Sequence, residues 1–512
     1  MAIMLQNYVK KILSSRVYDV AVETPLQPAR NLSRRTGHRV QLKREDLQPV
    51  FSFKIRGAYN KMACLTREEL ERGVITASAG NHAQGVALAA QTLDARATIV
   101  MGRNTPSIKV DAVRAYGARV VLHGDSYDEA KDHAAELTRK HDLVYVPPYD
   151  DLAVIAGQGT VGMEIMNQHA GPPDVIFVPV GGGGLVAGVA AYVKYLAPQV
   201  RIVGVEAEGS ACLAAAMAAG RRVTLPYESL DLFADGVSVA QVGAEPFKIA
   251  RRCVDEVIVA NTDEICAAIK DLFEDTRSIA EPAGALAVAG MKKYIARRAA
   301  LGESAGQSLI AIVSGANVNF DRLRHISERA DLGEQRESIL AVTIPEQPGS
   351  FRRFCGALGR RAVSEFNYRY APDSDAHVYV GLQTGTGDDR ARLIADLRTA
   401  GYQVADMTDN EAAKLHVRHM VGGRPGVDKP ELLFRFEFPE RPGALAKFLS
   451  VLGSDWNITL FHYRNHGAAW GRVLVGFEGE SRDRTRLVGD LRRIGYRFWE
   501  ESDNPAYRLF LR

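Results

Sequence analysis

The chain has 512 residues, which is more than one ordinary domain holds and predicts two or three domains. Hydrophobic residues make up 46% and charged residues 24% of the sequence, a balance typical of soluble globular proteins. The formal net charge is +3 and no basic block occurs, so nucleic acid is not an expected partner.

The sequence gives no sign of a membrane segment or a signal-peptide core, because no apolar run is long enough. Apolar residues near helical spacing between Ile3 and Leu13 predict either an organellar targeting helix or a first helix packed on the body of the protein. Five scattered cysteines form no CxxC pair, which favours a reducing compartment, expected to be the cytoplasm, and argues against a zinc site.

Between about residue 20 and about residue 330, short β-rich runs alternate with helical stretches rich in small residues. The predicted strands are Arg39–Leu42, Val74–Ala77, Ala97–Met101, Ala118–Leu122, Val175–Val180, Arg201–Glu206, Glu256–Ala260 and Leu309–Val313. The predicted helices between them include Ala83–Leu93, Ser107–Tyr116 and Asp263–Phe273. This alternation is typical of the α/β class, with a mostly parallel sheet covered on both faces and ligands beyond the carboxyl ends of its strands.

The first segment with chemical interest, residues 52–58, places Lys54 just inside a predicted helix and after aromatic residues. An amine that attacks a carbonyl needs a lowered pKa, and both burial and the positive end of a helix lower it. The alternative is a surface lysine on a solvated face, and the segment taken alone favours that alternative.

The second segment follows the predicted strand at Val74 and consists of Ser78, Ala79, Gly80, Asn81 and His82. Small residues and free backbone N–H groups at a helix start suit a carboxylate. The asparagine can donate a hydrogen bond to a phenolic oxygen. The histidine is either a general base or a structural residue held by hydrogen bonds. The structural role is favoured, because it is the commoner one for a histidine.

Four consecutive glycines form the third segment, after an apolar strand and before a stretch rich in small residues. They are Gly181, Gly182, Gly183 and Gly184, followed by Leu185. Glycine lets backbone N–H groups approach a phosphate, and the following helix adds its positive end. The run is neither GxGxxG nor GxxxxGK[ST], so nucleotide motifs are not supported, and a plain tight connection is the alternative.

The fourth segment, residues 314–317, follows the apolar strand that ends at Val313. Ser314 is expected to face the same crevice as the glycines. The alternative is an ordinary helix N-cap.

After about residue 335 the sequence contains an internal repeat. Residues 340–351 match residues 434–445, Phe366–Arg369 match Phe461–Arg464, and Gly401-Tyr402 match Gly495-Tyr496. Each copy is predicted to run strand, Pro-Gly turn, helix, strand, strand, helix, strand, which is the ferredoxin-like α+β order. Residues 421–426 are predicted to form the linker between the copies.

In this order, the four segments resemble those of the tryptophan-synthase-β-like, or fold-type II, pyridoxal-phosphate enzymes, and of serine/threonine dehydratases in particular. The resemblance covers nearly all of residues 1–330. Because the two C-terminal copies resemble paired ACT-like regulatory domains, the whole chain is similar to biosynthetic threonine ammonia-lyases (threonine deaminases). We therefore expect a catalytic domain over residues 1–330 and regulatory domains over residues 338–412 and 431–507.

The resemblance implies a role for each segment. Lys54 forms the Schiff base with pyridoxal 5'-phosphate, and Ser314 is the second catalytic residue, at the pyridine nitrogen. Asn81 bonds the ring hydroxyl, and the four glycines with Leu185 hold the phosphate. Residues Ser78 to His82 receive the substrate carboxylate. The family commonly has serine where Phe51 stands here, a departure that leaves Lys54 in place.

The resemblance also implies the reaction and its regulation. The expected reaction converts L-threonine, and secondarily L-serine, to a 2-oxoacid and ammonia, with isoleucine as inhibitor and valine as opposing effector. Tyr368 and Tyr463 occupy matching repeat positions and are either effector contacts or packing tyrosines. A homotetramer is expected. No metal is assigned, because Cys212 is a poor match for the carboxylate that some relatives place near Glu206.

Two other interpretations remain open. The first is another pyridoxal-phosphate enzyme, such as a β-replacement synthase or a serine racemase, which the duplicated C-terminal module fits poorly. The second is a non-catalytic amino-acid sensor built on an enzyme fold. The intact lysine, asparagine, glycine and serine positions argue against it.

Overall fold

The chain divides into two compact units, Met1–Ala330 and Asp331–Arg512. The computed structural model describes residues 2–230, 232–334, 336–345, 350–359, 361, 363–368, 376–384, 387–419, 430–439, 444–452, 456, 458–464 and 470–511.

The first unit consists of alternating strands and helices. Its strands are β1 (Leu26–Pro28), β2 (Arg39–Arg44), β3 (Val74–Ala77), β4 (Ala97–Met101), β5 (Arg119–Leu122), β6 (Val144–Tyr145), β7 (Val175–Pro179), β8 (Arg201–Ala207), β9 (Glu256–Ala260) and β10 (Ser308–Val313). Its helices are α1 (Ala2–Leu13), α2 (Arg30–Thr36), α3 (Lys54–Ala63), α4 (Arg67–Arg72), α5 (Asn81–Thr92), α6 (Ser107–Arg114), α7 (Tyr127–His141), α8 (Leu152–Gln168), α9 (Gly184–Leu196), α10 (Cys212–Ala219), α11 (Ala244–Cys253), α12 (Thr262–Thr276), α13 (Pro282–Ala300) and α14 (Arg322–Gly333), the last of which crosses the boundary between the units.

These strands form two sheets, where the sequence predicted one. The larger sheet has the order β1-β2-β10-β7-β8-β9 and is parallel except for the edge strand β1. The smaller sheet has the order β5-β4-β3-β6 and is wholly parallel. The apolar runs identify the strands. Which strands pair with each other is decided by packing between distant parts of the chain.

Both sheets are covered by helices on their two faces, as predicted. Along β7, Val175 and Phe177 pack towards α12 and α13, whereas Ile176 and Val178 pack towards α8 and α9. This alternation follows from the two-residue side-chain period of a strand. Helix α1 also packs on this body, with Leu5 buried in the same cluster as residues of α8 and α9.

The second unit contains two copies of one small fold. The first copy comprises β11 (Glu337–Ile344), α15 (Ser350–Ala357), β12 (Val363–Tyr368), β13 (Ala376–Gln383), α16 (Gly387–Thr399) and β14 (Gln403–Asp406), followed by α17 (Glu411–Leu415). The second comprises β15 (Glu431–Pro439), α18 (Ala444–Leu452), β16 (Ile458–Arg464), β17 (Trp470–Glu478), α19 (Arg484–Ile494) and β18 (Arg497–Glu500), followed by α20 (Pro505–Phe510).

The two copies share their topology as well as their element order. The sheets run β12-β13-β11-β14 and β16-β17-β15-β18, so both place their second, third, first and fourth strands side by side. Each has a register shift at the same point, between Val363 and Glu365 and between Ile458 and Leu460. The predicted ferredoxin-like order is confirmed. The predicted linker and most of the Pro-Gly turn residues lie outside the described residues.

Candidate active site

A cavity lies where the carboxyl ends of β3, β7 and β10 come together, which is the usual place of a ligand site in an α/β fold. It is lined by Phe53, Lys54, Asn81, Pro148, Tyr149, Gln158, Pro179, Gly181, Gly182, Gly183, Gly184, Leu185, Gly236, Val237, Glu281, Ala283 and Ser314. The structure thus brings together one residue or more from each of the four predicted segments. Ser78, Ala79, Gly80 and His82 do not line this cavity.

Lys54 is the first residue of α3, and its amine lies in the cavity and not on a solvated face. Its Nζ donates to the carbonyl oxygen of Pro148 at 3.2 Å. Burial lowers the pKa of Lys54 to about 8, against the opposing effect of the Glu281 carboxylate. The free-amine fraction near neutral pH is therefore over a hundredfold larger than that of an ordinary lysine. The amine is suited to attack a carbonyl.

The glycine run forms a tight loop between β7 and α9. Gly183 has a φ of +90° and lies immediately before α9. No side chain caps the N-terminus of this helix. A side chain at Gly182 would collide with the ring of Tyr149, and one at Gly181 would lie 2.9 Å from the Cα of Val237. The loop thus requires glycine, and its backbone N–H groups at a helix start suit a phosphate.

Asn81 begins α5 and is held from two sides. Its Nδ2 donates to Glu281 Oε1 at 2.5 Å, and its Oδ1 accepts from Asn317 Nδ2 at 2.7 Å. Glu281 is buried at the end of the segment before α13, and burial together with Asp235 raises its pKa to about 7. This carboxyl is not among the residues predicted from the sequence. Its only local signal is a glutamate directly before Pro282 at the start of an alanine-rich helix.

Ser314 follows β10 and is buried, with its Oγ donating to the carbonyl oxygen of Ala283 at 3.2 Å. It does not begin a helix, since the next helix along the chain is α14, starting at Arg322. The N-cap alternative is therefore wrong. The serine presents a neutral hydroxyl at the cavity.

The segment before Asn81 forms an open loop. The backbone N–H of Gly80 donates to Ser78 Oγ at 3.3 Å, and a side chain at Gly80 would meet nothing within 4 Å. His82 Nε2 lies 2.9 Å from the carbonyl oxygen of Val146. Burial and the charge of Lys54 lower the pKa of His82 to about 3, so the ring is neutral and donates to this carbonyl. This geometry favours the structural role for His82.

Glu206 is fully buried, and its carboxylate accepts hydrogen bonds from backbone N–H groups. It accepts hydrogen bonds from the N–H groups of Leu213 at 2.7 Å and Ala214 at 2.8 Å, in the first turn of α10. Burial raises the pKa of Glu206 to about 7. In the described part of the chain, no three His, Cys, Asp or Glu side chains group in a way that could hold a metal ion.

The two predicted effector tyrosines occupy equivalent backbone positions. Tyr368 pairs with Val378 at the end of β12, and Tyr463 pairs with Val473 in β16. Their side chains lie outside the described residues. Over the residues described, no helix is both long and apolar enough to cross a membrane.

A buried lysine amine, a glycine cradle at a helix start and a serine hydroxyl in one crevice define a pyridoxal-phosphate enzyme of the tryptophan-synthase-β-like class. Residues 17–315 match the family model described as "Pyridoxal-phosphate dependent enzyme". Residues 328–417 and 423–511 each match that of the "C-terminal regulatory domain of Threonine dehydratase". The chain belongs to the biosynthetic threonine dehydratase family.

Individual relatives agree with this assignment. The chain is 54% identical to the biosynthetic L-threonine dehydratase IlvA of Burkholderia multivorans, over 99% of both chains. It is 53% identical to that of Escherichia coli, over 99% of this chain and 97% of the relative.

Two solved structures each match over somewhat more than three fifths of this chain. The processed threonine deaminase isoform 2 of Solanum lycopersicum is 50% identical, with a TM-score of 0.61 over 64% of this chain and 93% of that one. Maize serine racemase is 33% identical, with a TM-score of 0.58 over 62% of this chain and 95% of that one. The predicted fold class is confirmed.

Proposed function

We infer that the protein converts L-threonine to 2-oxobutanoate and ammonia with pyridoxal 5'-phosphate, the committed step of isoleucine biosynthesis. The observation that carries this conclusion is the meeting of Lys54 and the four glycines in one cavity of a chain that belongs to the threonine dehydratase family. The matched regulatory domain model in both C-terminal copies separates this function from those of a β-replacement synthase or a racemase.

The residues of the cavity fit the cofactor. The N–H groups of residues 181–185 suit its phosphate, because the four glycines carry no side chain and the run ends at the start of α9. Lys54 offers an amine for its aldehyde, Asn81 an N–H group for its ring oxygen and Ser314 a hydroxyl for its pyridine nitrogen. When bound, the cofactor withdraws electrons from the α-carbon of the amino acid.

The chain's own residues then handle binding and proton transfer. The amine of Lys54 would remove the α-proton of the bound threonine, because its lowered pKa leaves the amine partly free near neutral pH. The segment Ser78–His82, which has open space at Gly80 and ends in the first residues of α5, receives the substrate carboxylate. Loss of the α-proton and the β-hydroxyl amounts to loss of water and leaves an enamine. The released enamine takes up a proton at its β-carbon to become an imine, and hydrolysis of the imine gives 2-oxobutanoate and ammonia.

Substituting Gly182 tests the phosphate cradle. Gly182→Val is expected to weaken cofactor binding by roughly 10–100-fold, because the added side chain collides with Tyr149 and overpacking typically costs about 1–3 kcal/mol. Titration of the cofactor-free protein with pyridoxal phosphate, followed by absorbance, measures this. Gly489→Ala, at a position with open space, is the matched control. Equal affinities of wild type and Gly182→Val for pyridoxal phosphate would contradict the role of the glycine loop in binding the phosphate.

Ser314 tests the choice of reaction. A neutral hydroxyl does not force a proton onto the pyridine nitrogen, whereas Ser314→Asp adds a charge that does, and the deeper electron sink favours transamination. We expect slower elimination and a ratio of transamination to 2-oxobutanoate formation raised about tenfold or more. Ser314→Ala, which stays neutral, is the control. If Ser314→Asp leaves the ratio of transamination to 2-oxobutanoate formation unchanged, the result contradicts the role of Ser314 in the choice of reaction.

The finer assignments belong to the same proposal. Isoleucine inhibits and valine opposes it at the C-terminal copies, with a coupling free energy of roughly 1–3 kcal/mol, and L-serine is a second substrate.

The assembly is a homotetramer. The cytoplasm is its compartment, in agreement with four described cysteines that form no disulfide, Cys64, Cys212, Cys253 and Cys266. The equivalent strand positions of Tyr368 and Tyr463 support one effector contact in each copy.

An assay of 2-oxobutanoate formed from L-threonine, with and without isoleucine, tests the function and its regulation together. The full-length protein is expected to form the ketoacid and to lose rate as isoleucine is added. Tyr368→Ala and Tyr463→Ala are each expected to raise the half-inhibitory isoleucine concentration by about 5–150-fold. Tyr195→Phe, in the first unit, is the control. No ketoacid would refute the function, and unchanged inhibition in both variants would refute the tyrosine contacts.

A further inference from the structure

We propose that Glu281 is a positioning residue for the reaction: together with Asn317 it fixes the amide of Asn81 in one orientation. In that orientation one N–H of Asn81 remains available to the ring oxygen of the cofactor. This inference rests on the proposed function and assigns a role to a cavity-lining carboxyl that the four sequence segments do not include.

The orientation is set by a chain of hydrogen bonds that begins at the backbone. The carbonyl oxygen of Val50 can only accept, and Asn317 Nδ2 donates to it at 2.8 Å. The same nitrogen donates its second hydrogen to Asn81 Oδ1 at 2.7 Å. The nitrogen of Asn81 therefore lies on the opposite side, where it donates to Glu281 Oε1 at 2.5 Å.

The reversed orientation of the Asn81 amide is strongly disfavoured. It would set the Asn81 oxygen against the carboxyl oxygen of Glu281 and the Asn81 nitrogen against that of Asn317. One of the two N–H groups of Asn81 is engaged by Glu281, and the other belongs to an amide that lines the cavity. Glu281 thereby keeps the Asn81 amide in the orientation that presents an N–H donor, and not its acceptor oxygen, at this part of the cavity wall.

Glu281 has little freedom to move. Its backbone N–H donates to the carbonyl oxygen of Gly315 at 3.1 Å, and Pro282 follows at the first position of α13. The carboxyl packs so closely on Gly315 that a side chain there would collide with Glu281 Oε1. Only 4% of the residue is exposed. A carboxyl fixed in this way can hold a partner in place.

The charged groups facing Glu281 allow its two possible effects to be separated. Asp235 raises the pKa of Glu281, whereas Lys109 and Arg322, both paired with Asp235, lower it. Glu281 in turn raises the pKa of Lys54. Hydrogen bonding to Asn81 needs only an oxygen, whereas the effect on Lys54 needs the charge. Glutamine at 281 retains the first and removes the second.

The experiment compares Glu281→Ala with Glu281→Gln in the full-length holoenzyme. Alanine is expected to lower kcat for L-threonine by about 10–100-fold with KM within about twofold, and to change the visible circular dichroism of the bound cofactor. Glutamine is expected to restore kcat to within about threefold of wild type, along with the wild-type spectrum. Glu208→Gln, an exposed carboxylate in the same unit, is the control for loss of charge.

Other outcomes overturn the role. Alanine behaving as wild type, or glutamine as damaging as alanine, shows that Glu281 does not act by orienting Asn81. If the alanine variant fails to fold, Asn317→Asp decides, because its carboxylate would face both Val50 O and Asn81 Oδ1 and reverse the amide. An unchanged spectrum in this variant also refutes the proposal. A wild-type protein that binds no cofactor refutes the proposed function itself.

Discussion

Replacing Lys54 by alanine is expected to abolish the visible absorbance band of the bound cofactor and to lower threonine turnover by at least about 10²–10⁴-fold. The variant loses both the covalent attachment point and the base that acts at the α-carbon. The amine is the group whose pKa burial lowers to about 8, and Lys54 lines the same cavity as the glycines. The measurements are the absorbance spectrum of the purified protein and the rate of 2-oxobutanoate formation.

A lysine on the same helix provides the control. Lys61 pairs with Asp151 outside the cavity lining, so Lys61→Ala is expected to retain the band and most of the turnover. A visible band in Lys54→Ala without added amine, or turnover within tenfold of wild type, would show that another residue carries the chemistry.

Replacing Arg56 by methionine is expected to lower the free energy of unfolding of the first unit by about 3–5 kcal/mol. Arg56 is fully buried two residues after Lys54, and its guanidinium donates to both Glu45 and Glu164. Lys43 also pairs with Glu164. Methionine fills similar space but leaves two buried carboxylates with a single cation. The loss is larger than that from any exposed ion pair.

The effect of Arg56→Met is expected to depend on pH with a definite sign. Burial alone would raise the pKa of Glu45, but Arg56 holds it below its ordinary value. Stability from this pair is therefore present above the pKa of the unfolded chain and is lost as the pH falls through the lower folded value. The destabilisation by methionine should be full at neutral pH and shrink in acid.

Chemical denaturation followed by cofactor absorbance, which reports on the first unit, measures this difference. Arg67→Met removes an exposed pair with Glu71 and is expected to change the free energy of unfolding by less than about 0.5 kcal/mol. A change below about 1 kcal/mol for Arg56→Met would show that the buried pairs contribute little net stability.

The strands of the first unit could be predicted closely because their signal is local. Val74–Ala77, Ala97–Met101 and Glu256–Ala260 have the bounds predicted from their apolar runs. Strands buried on both faces need continuous apolar sequence, so composition alone identifies them. The short strands β1 and β6 have three and two residues and were missed.

What could not be predicted depends on contacts between distant residues. The division into two sheets is set by which strands pair, and no local pattern encodes that choice. Glu281 is 200 residues from Asn81, so its place in the cavity follows only from the folded structure. Tyr149, which lies against Gly182, was missed for the same reason. Three of the four segments, at residues 78–82, 181–185 and 314–317, were found because their residue types are unusual after a strand end.

The most direct test of the account is reduction of the holoenzyme with borohydride, followed by peptide mapping of the labelled lysine. Lys54 alone is expected to carry the reduced cofactor. Labelling of a different lysine, or of none, would contradict it.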